Sequence, residues 1–144
     1  EKQLEIQKAK EDAARMAEIK RQEAENNGEF SYVPSDSDLY LLGAIIQCEA
    51  DGEPYEGKLA VGSVVMNRVR SSYFPNTVSG VIYQSGQFGP AITGKLDAVL
   101  ADGRTTASCY QAAADALAGS NPIGEALYFG NGDYGQLIGN HWFH

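Results

Sequence analysis

Positive charge is scarce in this 144-residue chain: eleven lysines and arginines stand against nineteen acidic residues, for a net charge of −8. A nucleic-acid binder needs a basic face to neutralise phosphates, so that class is set aside. The shortage is not local, because residues 1–29 hold eight acidic and six basic side chains and residues 30–144 hold eleven and five. Histidine is scarcer still. His141 and His144 are too few for a zinc site of ordinary ligand spacing, and no cofactor is expected. No apolar run is long enough to span a membrane, and no signal peptide is visible. The chain starts without Met, amid helix formers, and reads as a fragment whose upstream targeting segment is missing. Only two cysteines occur, Cys48 and Cys109. They fit two buried thiols or one disulfide, with a slight lean towards the bond, which would stabilise by roughly 4 kcal/mol on the chain-entropy model.

What is present divides the chain in three. Residues 1–27 are rich in Glu, Lys, Gln and Ala, with Ile6, Ala9, Ala13 and Met16 at 3-4 spacing. This predicts an N-terminal helix, a coiled-coil remnant or a lone solvated helix, and a surface for a protein partner or self-association. Residues 28–37 form a linker, and residues 38–144 a single domain. Its first helix starts near Ser35 or Ser37 with a capping-box pattern and is apolar nearly all round from Leu39 to Ile46. A second helix runs from about Pro54 to Ser71, with Val61, Val64, Val65 and Val69 on one stripe and Gly57 and Gly62 admitting a close neighbour. Phe74-Pro75-Asn76-Thr77 caps a short helix carrying Val78, Val81 and Ile82. Residues 84–104 read as loop. Thr106 to about Ala118 is a helix with a small-residue stripe ended by Gly119. From Ala126 to Phe143, short alternating runs around Asn131-Gly132-Asp133 read as a β-hairpin or two short strands. The fold class is therefore α+β, mostly helical with a small β element.

The chemistry is placed in Cys48-Glu49-Ala50-Asp51-Gly52-Glu53-Pro54. A glutamate at a helix end usually sits in solvent, but here an apolar helix delivers Glu49 towards the interior. Desolvation and the negative end of the helix dipole would both raise its pKa, which suits a general acid. Asp51 or Glu53 can supply the second carboxylate of a two-acid glycosidase, although Glu53 can equally cap the next helix. Asp51, Glu53 and Glu56 leave a carboxylate-bound calcium ion open, without an EF-hand pattern. A Cys48–His141 nucleophile is the rival reading, and its physics is poor, since a helix C-terminus and an adjacent carboxylate both raise a thiol pKa. Asn67 and Gln87 are amides suited to sugar hydroxyl or acetamido groups. Tyr83, Phe88, Tyr128, Phe129 and Trp142 are candidates for a sugar-binding groove, with Phe129 and Trp142 favoured as core.

Ile46-Gln47-Cys48-Glu49-Ala50-Asp51-Gly52-Glu53-Pro54-Tyr55-Glu56-Gly57 resembles a block of the SleB/CwlJ-type cell-wall hydrolases. The resemblance continues in order through Ala60-Val61, Asn67-Arg68-Val69, Phe74-Pro75-Asn76-Thr77, Gly80-Val81-Ile82-Tyr83, Gln87-Phe88, Ala126-Leu127-Tyr128-Phe129 and Ile138-Gly139-Asn140-His141, over about residues 38–144. It implies a lysozyme-like catalytic domain that cuts peptidoglycan between N-acetylmuramic acid and N-acetylglucosamine as a lytic transglycosylase. Glu49 falls on the family's catalytic glutamate. Glu53, Asn67, Tyr83, Gln87, Tyr128 and His141 fall in family blocks and are expected to bind substrate. The implied location is extracellular or wall-associated. The helical lead-in and cysteine pair depart from germination enzymes, so cortex and vegetative wall are both open as substrates. Two other readings stay open beside it: a non-catalytic wall-binding or scaffolding module, and a cysteine peptidase acting on stem peptides.

Overall fold

The computed structural model describes residues 35–144, together with Gln7, Lys8, Glu11, Asp12, Arg15 and Ile19. Those six positions are helical, with Gln7 Nε2 bonding Glu11 Oε1 at 3.2 Å and Arg15 pairing with Asp12 at 3.2 Å. The seam of Ile6, Ala9, Ala13 and Met16, and residues 28–34 of the expected linker, lie outside the described residues.

Local rules explain most of the helices. Ser35 caps α1 (Asp36–Ala50) by a reciprocal capping box with Asp38, so Asp36 and Ser37 already belong to its first turn. After the Asp51–Pro54 turn comes α2 (Tyr55–Arg70). Thr77 accepts a bond from the Gly80 N–H to start α3 (Val78–Ile82). Two short helices, α4 (Gly89–Thr93) and α5 (Lys95–Asp102), follow. Thr106 accepts from the Cys109 N–H to cap α6 (Ala107–Leu117). The chain ends in β1 (Phe129–Gly130), β2 (Gln136–Ile138) and β3 (His141–Phe143), an antiparallel sheet in the order β1-β3-β2.

Two expectations change. The stretch 84–104 is not loop but holds α4 and α5. Each is too short to show a period, and Gly94, at φ +84°, ends one and begins the other. The β element has three strands, with its tight turn at Gly139-Asn140 rather than at Asn131-Gly132-Asp133. Backbone bonds between Tyr128 and His144 extend the β1–β3 pairing by one residue.

The core lies where α1 meets α2 and α6. Leu42, Ala44, Ile45 and Ile46 of α1 are fully buried, as are Val61, Val64 and Val65 of α2 and Cys109, Ala112 and Ala113 of α6. The disulfide expectation is corrected here: Cys48 and Cys109 are free thiols. Each packs as a small apolar side chain in or against this core, and burial raises both thiol pKa values. Gly62 is the closest point of approach, since a Cβ there would stand 2.9 Å from Ala116 Cβ and 3.2 Å from Ile46 Cδ1. Gly→Ala in an open helix gains about 1 kcal/mol. Here overpacking of about 1–3 kcal/mol opposes that gain. Gly62→Ala should therefore lower stability in urea denaturation, and adding Ala116→Gly should recover part of the loss.

Candidate active site

Glu49 lies in the last turn of α1, a turn with no basic residue, so the negative dipole end is uncompensated. Its half-buried carboxyl opens on a cleft of about 440 Å³. Arg68 of α2 joins Glu49 on the helical side, the segment from Gln87 to Pro90 forms a second side, and Phe129, Gly130, Asn131 and His141 bring the sheet to the third. Among the described residues lining this cleft, Glu49 is the only acid. Burial pushes its pKa above the ordinary carboxylate value, with His141 and Lys95 opposing through their charge. The α1 side chains that precede it explain the burial, since Ile45 and Ile46 are wholly enclosed.

Glu53 does something else. Its Oε1 accepts the backbone N–H of Asn140 and its Oε2 the Asn140 side-chain amide, both at 2.8 Å. This binds the β2–β3 turn to the start of α2. Gly139, at φ +59°, allows the fit, because a Cβ would lie 2.7 Å from Glu53 Oε1 and 3.0 Å from Pro54 Cδ. His141 Nδ1 is 3.5 Å from the same Oε1, an ion pair when the imidazole is protonated. The Glu53 side chain is only 8% exposed. Its pKa lies below the ordinary value, first because of the Asn140 N–H, against desolvation, and then because of the Asn140 amide and His141.

Comparison with known proteins decides the family. The family model described as Cell Wall Hydrolase matches residues 52–144. The chain belongs to the Cell Wall Hydrolase family. It is 39% identical over 99 residues to a spore cortex-lytic enzyme of Oceanobacillus iheyensis and 37% identical over 99 residues to that of Bacillus subtilis, in each case 69% of this chain. The chain spans about a third of the length of these curated relatives, 34% and 31%. Among solved structures, it resembles the catalytic domain of the germination-specific lytic transglycosylase SleB from Bacillus anthracis. The TM-score is 0.65 at 33% identity, covering 79% of this chain and 98% of that one. The catalytic domain of the Bacillus cereus SleB protein gives a TM-score of 0.61 at 35% identity, covering 76% and 90%.

Within this family fold, the expected site residues divide. Glu49, Gln87 and His141 meet in the cleft, and so do Phe88 and Phe129. Glu53 is not in the cleft wall, its carboxylate being engaged by Asn140, and it does not cap α2, whose N-cap is Pro54 without a side-chain bond. Asn67 is also corrected. Its amide donates to the carbonyls of Gly124 (2.9 Å) and Ala126 (2.8 Å), and its Oδ1 accepts from Asn121 (3.1 Å), so it holds the approach to β1. Tyr83 bonds Asp97 at 2.9 Å outside the cleft wall. Tyr128 stacks on His144, meets Phe74 edge-on and lies against the Arg68 guanidinium, and it is not in the cleft wall. No group of three His, Cys, Asp or Glu side chains converges to hold a metal among the described residues. Cys48 is not in the cleft wall beside His141, and burial and Glu49 both raise its thiol pKa, against the nucleophile reading.

Arg68 was not anticipated. It falls four residues after Val64 and seven after Val61, on the buried stripe of α2, and a cation on an apolar stripe is the signal that marks it.

The Glu53 anchor has a pH signature. A folded pKa below the unfolded one contributes stability that is complete above the unfolded value and disappears as pH falls through the folded one. Glu53→Gln sets amide against amide at Asn140 and should cost about 1–3 kcal/mol at pH 7. In urea denaturation, the gap from the parent should shrink at pH 3, and a gap independent of pH would disprove the carboxylate's role.

Proposed function

We propose that the domain cleaves glycan strands of peptidoglycan between N-acetylmuramic acid and N-acetylglucosamine, as a lytic transglycosylase. The observation that carries this reading is a single, desolvated carboxyl in the cleft, with no second acid among the described residues that line it. An inverting or retaining two-carboxylate hydrolase needs a partner acid about 5–9.5 Å away; of the two sequence candidates, Asp51 is exposed and outside the cleft wall, and Glu53 is taken up by Asn140. One carboxyl is enough if it works twice. Protonated Glu49 gives its proton to the glycosidic oxygen as the bond to the muramyl C1 breaks. The resulting carboxylate then removes the proton of the same sugar's 6-hydroxyl as that oxygen closes on C1, which yields a 1,6-anhydro end and restores the acid. Phe129 offers an apolar surface to the sugar rings, and Gln87 and Asn131 offer amides to their polar groups. The catalytic unit is residues 38–144, working in the extracellular or wall compartment on cortex or vegetative wall, with the 1–27 segment as a surface for a partner or for self-association.

Purified peptidoglycan digested with the protein should release anhydromuramyl ends by mass spectrometry. Glu49→Gln should lower the release by about 10²–10⁴-fold with the fold intact. Plain reducing ends would make the enzyme a hydrolase, and cosedimentation with the wall without release would make it a binding module.

Glu49 also leaves a stability signature. A raised carboxyl pKa means that its ionisation opposes folding as pH rises above the unfolded value. Glu49→Gln should therefore melt a few degrees higher than the parent at pH 7.5. At pH 4, where Glu49 is largely protonated in both states, the gain should shrink or vanish in a thermal melt.

A further inference from the structure

Arg68 is 4% exposed, and no carboxylate among the described residues pairs with it. Its Nε donates to the Leu127 carbonyl at 2.8 Å, and its Nη1 is buried with no hydrogen-bond partner. Three rings surround the guanidinium: Phe74 at 4.7 Å, Phe88 at 5.4 Å and Tyr128 at 5.2 Å from its carbon. The same side chain lines the cleft that holds Glu49. A buried, unpaired cation is costly unless another group completes it. The aromatic faces stabilise its charge, yet they accept no in-plane hydrogen bond. Anchoring Leu127 needs only one donor, which a neutral amide would supply without burying a charge.

We propose that Arg68 is a substrate-binding residue whose guanidinium edge donates to the acyl carbonyl oxygen of an N-acetylated sugar seated beside Glu49. This rests on the reading of the cleft as a glycan site. A neutral carbonyl fits better than a carboxylate, because a carboxylate would repel Glu49 whenever Glu49 is ionised, while a carbonyl is tolerated in both halves of the cycle. Phe129, half-buried in the cleft wall, offers apolar contact to the acetamido methyl. Arg68 is thus a specificity element for acetylated over non-acetylated β-linked sugars.

The test uses the full chain carrying Glu49→Gln, so that no strand is cut, and titration calorimetry with two neutral probes. These are the β-1,4 tetramer of N-acetylglucosamine and cellotetraose, which differ in the acetamido group. The acetylated probe should bind about tenfold more tightly, and Arg68→Lys, which keeps the charge and a donor for Leu127, should bring the two towards parity. Equal binding by the parent, or a preference retained in a folded Arg68→Lys, overturns the proposal. Tighter binding of tetragalacturonate than of the acetylated tetramer, lost in Arg68→Lys, would assign the guanidinium to a carboxylate and overturn it too. Should Arg68→Lys fail to fold, the Arg68 side-chain N–H resonances of the parent decide. They should shift with the acetylated probe and not with cellotetraose, and the absence of that difference overturns the proposal. Binding is read without catalysis, so a wall digest that yields no fragments would sink the cleavage reading and leave this one standing.

Discussion

Eight strand residues cannot hold themselves in place, and the cleft depends on how they are fastened. A sheet with strands of two, three and three residues buries little surface of its own. Its position is set by side chains of the α1–α2 connection and of α2 that bond to distant backbone. Glu53 holds the Asn140 turn, Asn67 holds Gly124 and Ala126, and Arg68 holds Leu127. These contacts span 57 to 87 positions of sequence, so they need the helices to be packed. The wall that carries Phe129 and His141 is therefore a consequence of helical packing.

That arrangement gives two glutamates four residues apart opposite electrostatic fates. Glu49 faces the cleft with a helix C-terminus behind it, and burial raises its pKa. Glu53 meets two N–H donors and a histidine, and its pKa is lowered. Environment decides the chemistry of each. The histidine links them, since His141 sits beside Glu53 and acts through its charge on Glu49. The contact with Glu53 that places the imidazole thus also sets part of the field at Glu49.

Much of the helical framework is legible without coordinates. The capping box at Ser35, the valine stripe of α2, the Thr106 cap and the small residues of α6 are local signals, read within one or two turns. The acid at Glu49 is legible for the same reason, because an apolar helix ending in a carboxylate and a turn is a contiguous pattern. The α4 and α5 helices were not, because five and eight residues give no period and Gly94 reads as a break. Tyr83, Tyr128 and Asn67 carry the right groups for a sugar groove, and residue type says nothing about which side of a helix–sheet contact they take.

By itself the sequence determined the α+β class and the family, since capping, periodicity and an ordered run of motifs are properties of neighbours along the chain. The tertiary structure alone decided that Glu53 fastens the Asn140 turn, that the cysteines stay unbonded in and against the core, and that Arg68 is enclosed beside the cleft with no counter-ion among the described residues. Each of those depends on which groups meet across many tens of residues. Hydrogen bonding and desolvation act on distance in space, and spacing along the chain does not encode it.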